Sequence, residues 1–353
     1  MNTVDKDYQL LLKDILDNGV LKHTRSGDVI SVFDRSIKID MRNGFPLLTT
    51  KKMFTKGFVH EILWMLSGST NIKYLVENGV HIWDADAYRW YCELKSKHDK
   101  INSQQPFLYS KEEFIQHCLD ETTLMLNKEP GIAFIYKCGD LGPVYGKQWR
   151  SFGTDKSIDQ ISTIIDTLKN NPNDRRLLCS AWAPNELSDM ALPPCHYGFQ
   201  LYARPLSLNE RLEWAKYNIR DNIPDVNDVG LLGFCSCHKV PEYELSLKWT
   251  QRSCDFFLGV PFNIGGYGLL LHLIARCVNM TVGTLSGSFG DCHIYTSHID
   301  AVKEQLQNDP LKYNLPKLVL NPSIRNIDMF RYGDISFDGY ESFPKINAPL
   351  SVG

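Results

Sequence analysis

The sequence predicts an α+β fold in a single domain. Three observations carry that expectation: apolar helical stripes alternate with short β-branched or alternating runs, one late stretch is apolar on almost every side, and no repeat, low-complexity tract or proline-rich linker divides the chain. At 353 residues, 43% hydrophobic and 22% charged, the chain has a globular composition and enough length to bury a substantial core. A net charge of −3 gives no general affinity for nucleic acid or an anionic membrane, so any anion site must be a local arginine cluster.

Leu11, Leu12, Ile15 and Leu16 make a helical stripe from Tyr8 to Asn18, with Gly19 as its C′ residue. Asp28 to Phe33 and Ser36 to Met41 predict a hairpin or two adjacent strands, preceded by a loop that holds Arg25. Phe58 to Leu66 predicts an apolar helix with one carboxylate, Glu61, and Asn71 to Asn78 a second helix ended by Gly79. From Tyr88 to Cys138 the chain turns polar and lysine-rich and reads as a surface insertion, with Ser110 and Glu113 as a capping box opening a helix to about Leu126. A glycine-rich loop, Gly139 to Gly146, leads to a helix through Leu168 capped at Ser157 or Gln160. Strands are expected at Leu177–Ala183, Gly198–Arg204, Leu245–Gln251 and Lys317–Leu320. A second polar insertion, about 205–244, separates two of them and carries a helix near Asn209 to Ile219. Gly265 to Asn279 is the almost wholly apolar helix, therefore buried, and Ser297 to Leu306 is a last helix.

Ten cysteines without regular spacing, and a polar, acidic start unlike a secretory leader, predict a reducing compartment and a cytoplasmic protein. No apolar run approaches the ~18 residues that a membrane span needs. Cys235-Ser-Cys-His238 lacks the usual zinc spacing and a second ligand pair, so no metal is expected.

The chemistry is expected around Ala191-Leu-Pro-Pro-Cys-His196. Proline fixes φ and carries no N–H, so Pro193 and Pro194 present Cys195 on a stiff, extended approach. From this stretch alone Cys195 reads either as a nucleophile, which needs a neighbour that favours its thiolate, or as one more buried apolar residue. Arg252-Ser-Cys-Asp255, followed by Pro261-Phe-Asn263, places an arginine and a serine that can hold a phosphate near an amide that can read a base. Taken singly, each reads equally well as a solvated arginine and a capping asparagine.

These motifs, with Phe45-Pro-Leu-Leu-Thr-Thr-Lys51, Ile82-Trp83-Asp84, Gly139-Asp-Leu-Gly-Pro-Val-Tyr145, Arg175-Arg176 and Gly290-Asp-Cys-His-Ile-Tyr295, resemble the thymidylate synthase family in the family's own order. The resemblance implies a twisted mixed β-sheet flanked by helices, whose exposed face forms a homodimer interface. It implies one catalytic domain over 1–353 that converts dUMP to dTMP with 5,10-methylenetetrahydrofolate as co-substrate. In that reading Cys195 adds to C6 of the uracil, Glu61 and Tyr145 serve proton transfers, and Asn263 reads the N3–H and O4 edge. Arg25, Arg252 and Ser253 would hold the 5′-phosphate, with Arg175 and Arg176 reaching across from a second subunit. Gln200, Asp255, His293 and Tyr295 complete the nucleotide set, and Lys51, Ile82, Trp83, Leu192, Asp255, Leu258, Phe262 and Val352 the folate set. Ala183, Gly265-Gly266 and Ser297 depart from the family pattern, and Gly353 extends a tail, Pro349 to Val352, that resembles the family's closing segment. A second expectation is therefore a dUMP hydroxymethylase, which completes the same intermediate with water instead of hydride.

Overall fold

The computed structural model describes residues 3–349 apart from 104, 106, 154, 155 and 220–222. The chain opens with α1 (Val4–Asn18), β1 (Val20–Thr24) and β2 (Gly27–Asp40), then α2 (Thr55–Leu66), α3 (Lys73–Glu77), α4 (Asp84–Ile101) and α5 (Lys111–Leu119). A small hairpin, β3 (Thr123–Glu129) and β4 (Ile132–Lys137), leads to α6 (Tyr145–Arg150), α7 (Gln160–Asn170), β5 (Leu178–Ser180) and β6 (His196–Pro205). Then come α8 (Leu208–Asn218), α9 (Asp228–Cys237), β7 (Tyr243–Asp255), α10 (Gly259–Val278), β8 (Thr281–Tyr295) and α11 (Ile299–Gln307). A second hairpin, β9 (Lys317–Leu320) and β10 (Ile335–Asp338), follows.

Six strands form one mixed sheet in the order β1-β2-β8-β7-β6-β5. Every neighbouring pair is antiparallel except β7 and β8, which run parallel. A parallel pair needs a crossover, and α10 supplies it. α10 is buried on nearly every side and packs on both of those strands and on α2. One continuous apolar core therefore lies between the sheet and the helices. The helix-flanked mixed sheet is the expected one.

Four local expectations are corrected. Asp28 to Met41 is not a hairpin but one strand, β2, interrupted only at Asp34 (φ 60°); its hairpin partner is β1. The capping box at Ser110 is present, but the helix stops at Leu119, and after Glu121 takes φ 56° the chain turns into β3. α7 is capped by Asp159, whose carboxylate accepts from the N–H of Ser162. Gly19 is extended, not left-handed; a Cβ there would lie 2.4 Å from Ile30, so space requires the glycine and not its freedom at positive φ.

The longest strand, β8, was not expected at all. Its core-facing positions are Gly283, Leu285, Gly287 and Phe289, and glycines in two of them erase the apolar alternation. At Gly287 a Cβ would come within 2.6 Å of Trp249, so the cross-strand indole fills the place of the missing side chain. The two polar segments differ. Tyr91, Phe114, Cys118, Leu126 and Tyr136 join the main core, whereas residues 205–244 build a small cluster of their own around Ala215, Cys235 and Val240.

Candidate active site

The segment before β6 is pinned atom by atom. Pro193 and Pro194 offer only carbonyls, and Arg252 takes both: its Nη2 donates to Pro193 O at 2.8 Å and its Nε to Pro194 O at 2.9 Å. The Arg252 backbone N–H donates to Cys195 O at 2.8 Å, and the Cys195 N–H donates to the Tyr145 hydroxyl at 2.8 Å. β7 thus holds the cysteine from one side and the start of α6 from the other. The cysteine is fixed by its backbone and its thiol is left for chemistry.

Cys195 opens onto a cavity of about 710 Å³. Its walls include Glu61 of α2, Trp83 and Ile82, Tyr145 of α6, Leu192, Arg252, Ser253 and Asp255 of β7, Asn263 of α10, His293 and Tyr295 of β8, and Arg25 from the β1–β2 turn. Thirteen of the residues predicted for the site therefore meet in one space.

Burial dominates the chemistry at the closed end. It raises the Glu61 carboxyl to about 7, only partly offset by the Trp83 Nε1–H that donates to Oε1 at 2.9 Å. The Tyr145 hydroxyl is pushed well above its ordinary value, first by burial and then by the neighbouring Cys195. His196, stacked on Tyr145 with ring centres 4.4 Å apart and bonded to Tyr267 Oη at 2.9 Å, is held neutral by burial, down to about 3. The Cys195 thiol is itself raised: burial outweighs the Arg252 charge and the Ser253 hydroxyl, both of which favour the thiolate. The arginine acts in the expected direction without winning.

Elsewhere in the lining Asp291 is held well below the ordinary carboxylate range by His293, by the Ser31 hydroxyl at 2.7 Å and by Lys22 at 3.0 Å. Asp255 accepts from the N–H groups of Phe257 and Leu258, both at 3.0 Å, at the approach to α10. Together the walls offer a thiol, a carboxyl that titrates near neutrality, an amide, exposed guanidinium groups and an apolar flank.

Several predicted residues lie elsewhere. Gln200 is exposed on β6 and does not reach the cavity, because a register shift between His196 and Gly198 reverses the side-chain alternation. The glutamine at the cavity is Gln251, 3% exposed, which bonds Ser253 O at 3.0 Å. Lys51 is buried behind the wall, where Nζ donates to Phe257 O and sits 3.7 Å above the Phe257 ring. Burial lowers its pKa to about 7. Leu258 and Phe262 are half-buried against the core and are not among the cavity's lining residues. Arg175 and Arg176 form a separate surface notch, the Arg176 side chain 90% exposed. Val352 lies outside the described residues. Beyond Gln251, sequence reasoning missed Asp86, Asp291 and His196; the last two sat inside quoted motifs, and Asp86 carried no signal.

Among the described residues no helix is long and apolar enough to cross a membrane, and no group of three or more His, Cys, Asp or Glu side chains is placed to hold a metal. Residues 6–352 match the family model described as thymidylate synthase. Curated relatives named thymidylate synthase agree along nearly the whole chain. That of Mycoplasma mobile is 42% identical over 349 residues, covering 98% of this chain and all of the relative. Those of Malacoplasma penetrans and Listeria monocytogenes serotype 4a are 39% and 40% identical, each again over 98% of this chain and all of the relative. This chain belongs to the thymidylate synthase family.

Proposed function

We propose that the chain is a thymidylate synthase, a single catalytic domain that methylates dUMP to dTMP with 5,10-methylenetetrahydrofolate. The observation that carries the reading is the convergence of Cys195, Tyr145, Glu61, Asn263, Arg25 and Arg252 on one cavity. Ile82, Trp83 and Leu192 give the cavity apolar lining suited to a pterin ring, and Asp255, also in its wall, offers a carboxylate to ring N–H groups. When bound there, the reduced folate supplies the one-carbon unit and the hydride.

The chain's own residues do the rest. Cys195 adds as thiolate to C6 of the uracil, which makes C5 nucleophilic. Bringing a phosphate to Arg252 leaves less of that cation's field for the thiol, so Ser253 and the fixed backbone must keep the sulfur oriented. Asn263 meets N3–H and O4 with one amide, which selects uracil over cytosine. Glu61, with a pKa of about 7, both holds and releases a proton at neutral pH. Tyr145 remains protonated and stays a donor toward C5.

We further read the protein as a cytoplasmic homodimer. Arg175 and Arg176 stand away from their own chain's cavity, and the sheet leaves Phe33, Leu178 and Tyr202 exposed. A second copy on that face would cover the apolar residues and bring its two arginines to this chain's phosphate end. The names of the relatives favour hydride over water in the last step. Incubation with dUMP and methylenetetrahydrofolate tests the reading: dihydrofolate absorbance rises in step with dTMP, whereas 5-hydroxymethyl-dUMP without dihydrofolate would overturn it.

A further inference from the structure

One contact to the cysteine segment belongs to none of these roles. The four residues Leu192 to Cys195 are gripped at the Cys195 end by Arg252, and the residue just before them, Ala191, is gripped by a second arginine. Arg89 of α4 donates from Nη2 to Ala191 O at 2.7 Å, while the Ala191 N–H donates to Leu141 O at 2.8 Å in the loop that leads to Tyr145. The same Nη2 reaches Asp86 Oδ1 at 3.1 Å, and Nη1 reaches Glu93 at 2.8 Å. Arg89 Nε is buried and has no hydrogen-bond partner among the described residues, a cost that the three ionic and carbonyl contacts offset. Asp86 in turn lines the cavity beside Trp83, with one oxygen on Arg89.

We propose that Arg89, oriented by Asp86, is a positioning residue for Cys195: it fixes the Ala191 carbonyl, and two arginines thereby clamp the proline-stiffened segment at both ends. Because Pro193 and Pro194 have no N–H, carbonyls are the only backbone hooks they offer, and a guanidinium is the donor that can take several at once. A lysine at position 89 would serve one acceptor well and not the fork. Asp86 pairs with Arg89 through one oxygen and keeps its carboxylate in the cavity wall, where it works against the Cys195 thiolate together with Asp255. Arg252 and Ser253 of β7 work for the thiolate, and Tyr145, Glu61 and neutral His196 complete the groups around the sulfur.

The inference rests on Cys195 being the nucleophile, and its test separates the two. Alkylation of Cys195 by iodoacetamide, quantified at that residue by mass spectrometry across pH, needs no substrate. Asp86→Asn removes a charge that opposes the thiolate, so its alkylation profile moves to lower pH. Arg89→Met leaves that charge unpaired and moves the profile up, while kcat with dUMP falls on the order of tenfold, the loss of one charge-assisted hydrogen bond. Arg89→Lys, which keeps one acceptor and not the fork, restores only part of that fall. A purely structural role would move both profiles the same way; that result, or two unshifted profiles, overturns the proposal. If Arg89→Met fails to fold, an unshifted Asp86→Asn profile decides against it. A wild-type protein that alkylates but does not turn over dUMP would sink the functional reading alone.

Discussion

At the cysteine end of the cavity every group is fixed from within one chain: Tyr145 is 2% exposed, Trp83 7%, and the backbone of Pro193 to Cys195 is bonded to Arg252 and Tyr145. At the proposed anion end Arg25 and Arg252 are exposed, and Arg176, in a separate surface notch, points almost wholly into solvent. The difference follows from what each end must do. Covalent addition and proton transfer need fixed donors in a low dielectric, where a small displacement is costly. A dianionic phosphate is held by long, exposed cations, which tolerate being shared with a second copy of the chain. The closed end is therefore rigid and self-sufficient, whereas in the proposed dimer the open end would be completed by a second copy.

Breaking the closed end should cost most. Cys195→Ser is expected to lower turnover on the order of 10⁴-fold or more while dUMP binding, followed by fluorescence or calorimetry, stays within a few-fold. Retained activity would mean that the thiol is not the nucleophile. Glu61→Gln comes next, with kcat down roughly 10²- to 10³-fold and little change in the dUMP KM. The same residue links pH to stability. Its folded pKa of about 7 lies above the unfolded value of 4.5, so the stability that neutral Glu61 lends is present below about pH 4.5 and is lost as pH rises through about 7. Across that window wild type should lose about 3 kcal/mol relative to Glu61→Gln, read from denaturant midpoints at pH 4.5 and 8. Parallel pH curves for the two proteins would show that the carboxyl is not desolvated.

Asn263 also lines the cavity, and its replacement sharpens the contrast without abolishing chemistry. Asn263→Asp trades an amide that matches uracil for a carboxylate that matches the amino edge of cytosine, so the ratio of kcat/KM for dUMP over dCMP should fall by about 10². An unchanged ratio would remove Asn263 from base selection.

How much of this was legible beforehand follows the same division. Cys195, Asn263, Arg252 and Glu61 were legible because their motifs together resemble one family, although Cys195, Arg252 and Asn263 each left a bland reading open when taken singly, and the structure brings them into one cavity. Asp86 and Arg89 were not, because the contact of Arg89 with Ala191, and of Asp86 with Arg89, depends on the path of α4, which the polar, lysine-rich sequence disguises as surface. β8 stayed hidden because Trp249 packs where glycine leaves room, so the core face is written in the neighbouring strand. Gln200 was misplaced for a related reason: one shift of register before it turns its side chain to the opposite face, and no local feature of the sequence marks that shift.

The smallest effect is expected at the arginines that the proposed dimer would share. In the proposed dimer Arg176→Ala would remove one cation from a shared phosphate site, so the dUMP KM should rise about tenfold with kcat nearly unchanged, and the rise should shrink as salt screens the remaining arginines. The decisive form of this experiment mixes two defective proteins. Arg176→Ala retains Cys195, and Cys195→Ser retains Arg176, so a mixed dimer contains one site with an intact thiol and an intact arginine from the other subunit. Refolding the two together should restore activity with the wild-type dUMP KM in a fraction of sites. If Arg176 served its own chain, the mixture would show only the high KM of the Arg176→Ala parent, and the open end would be complete in one chain after all.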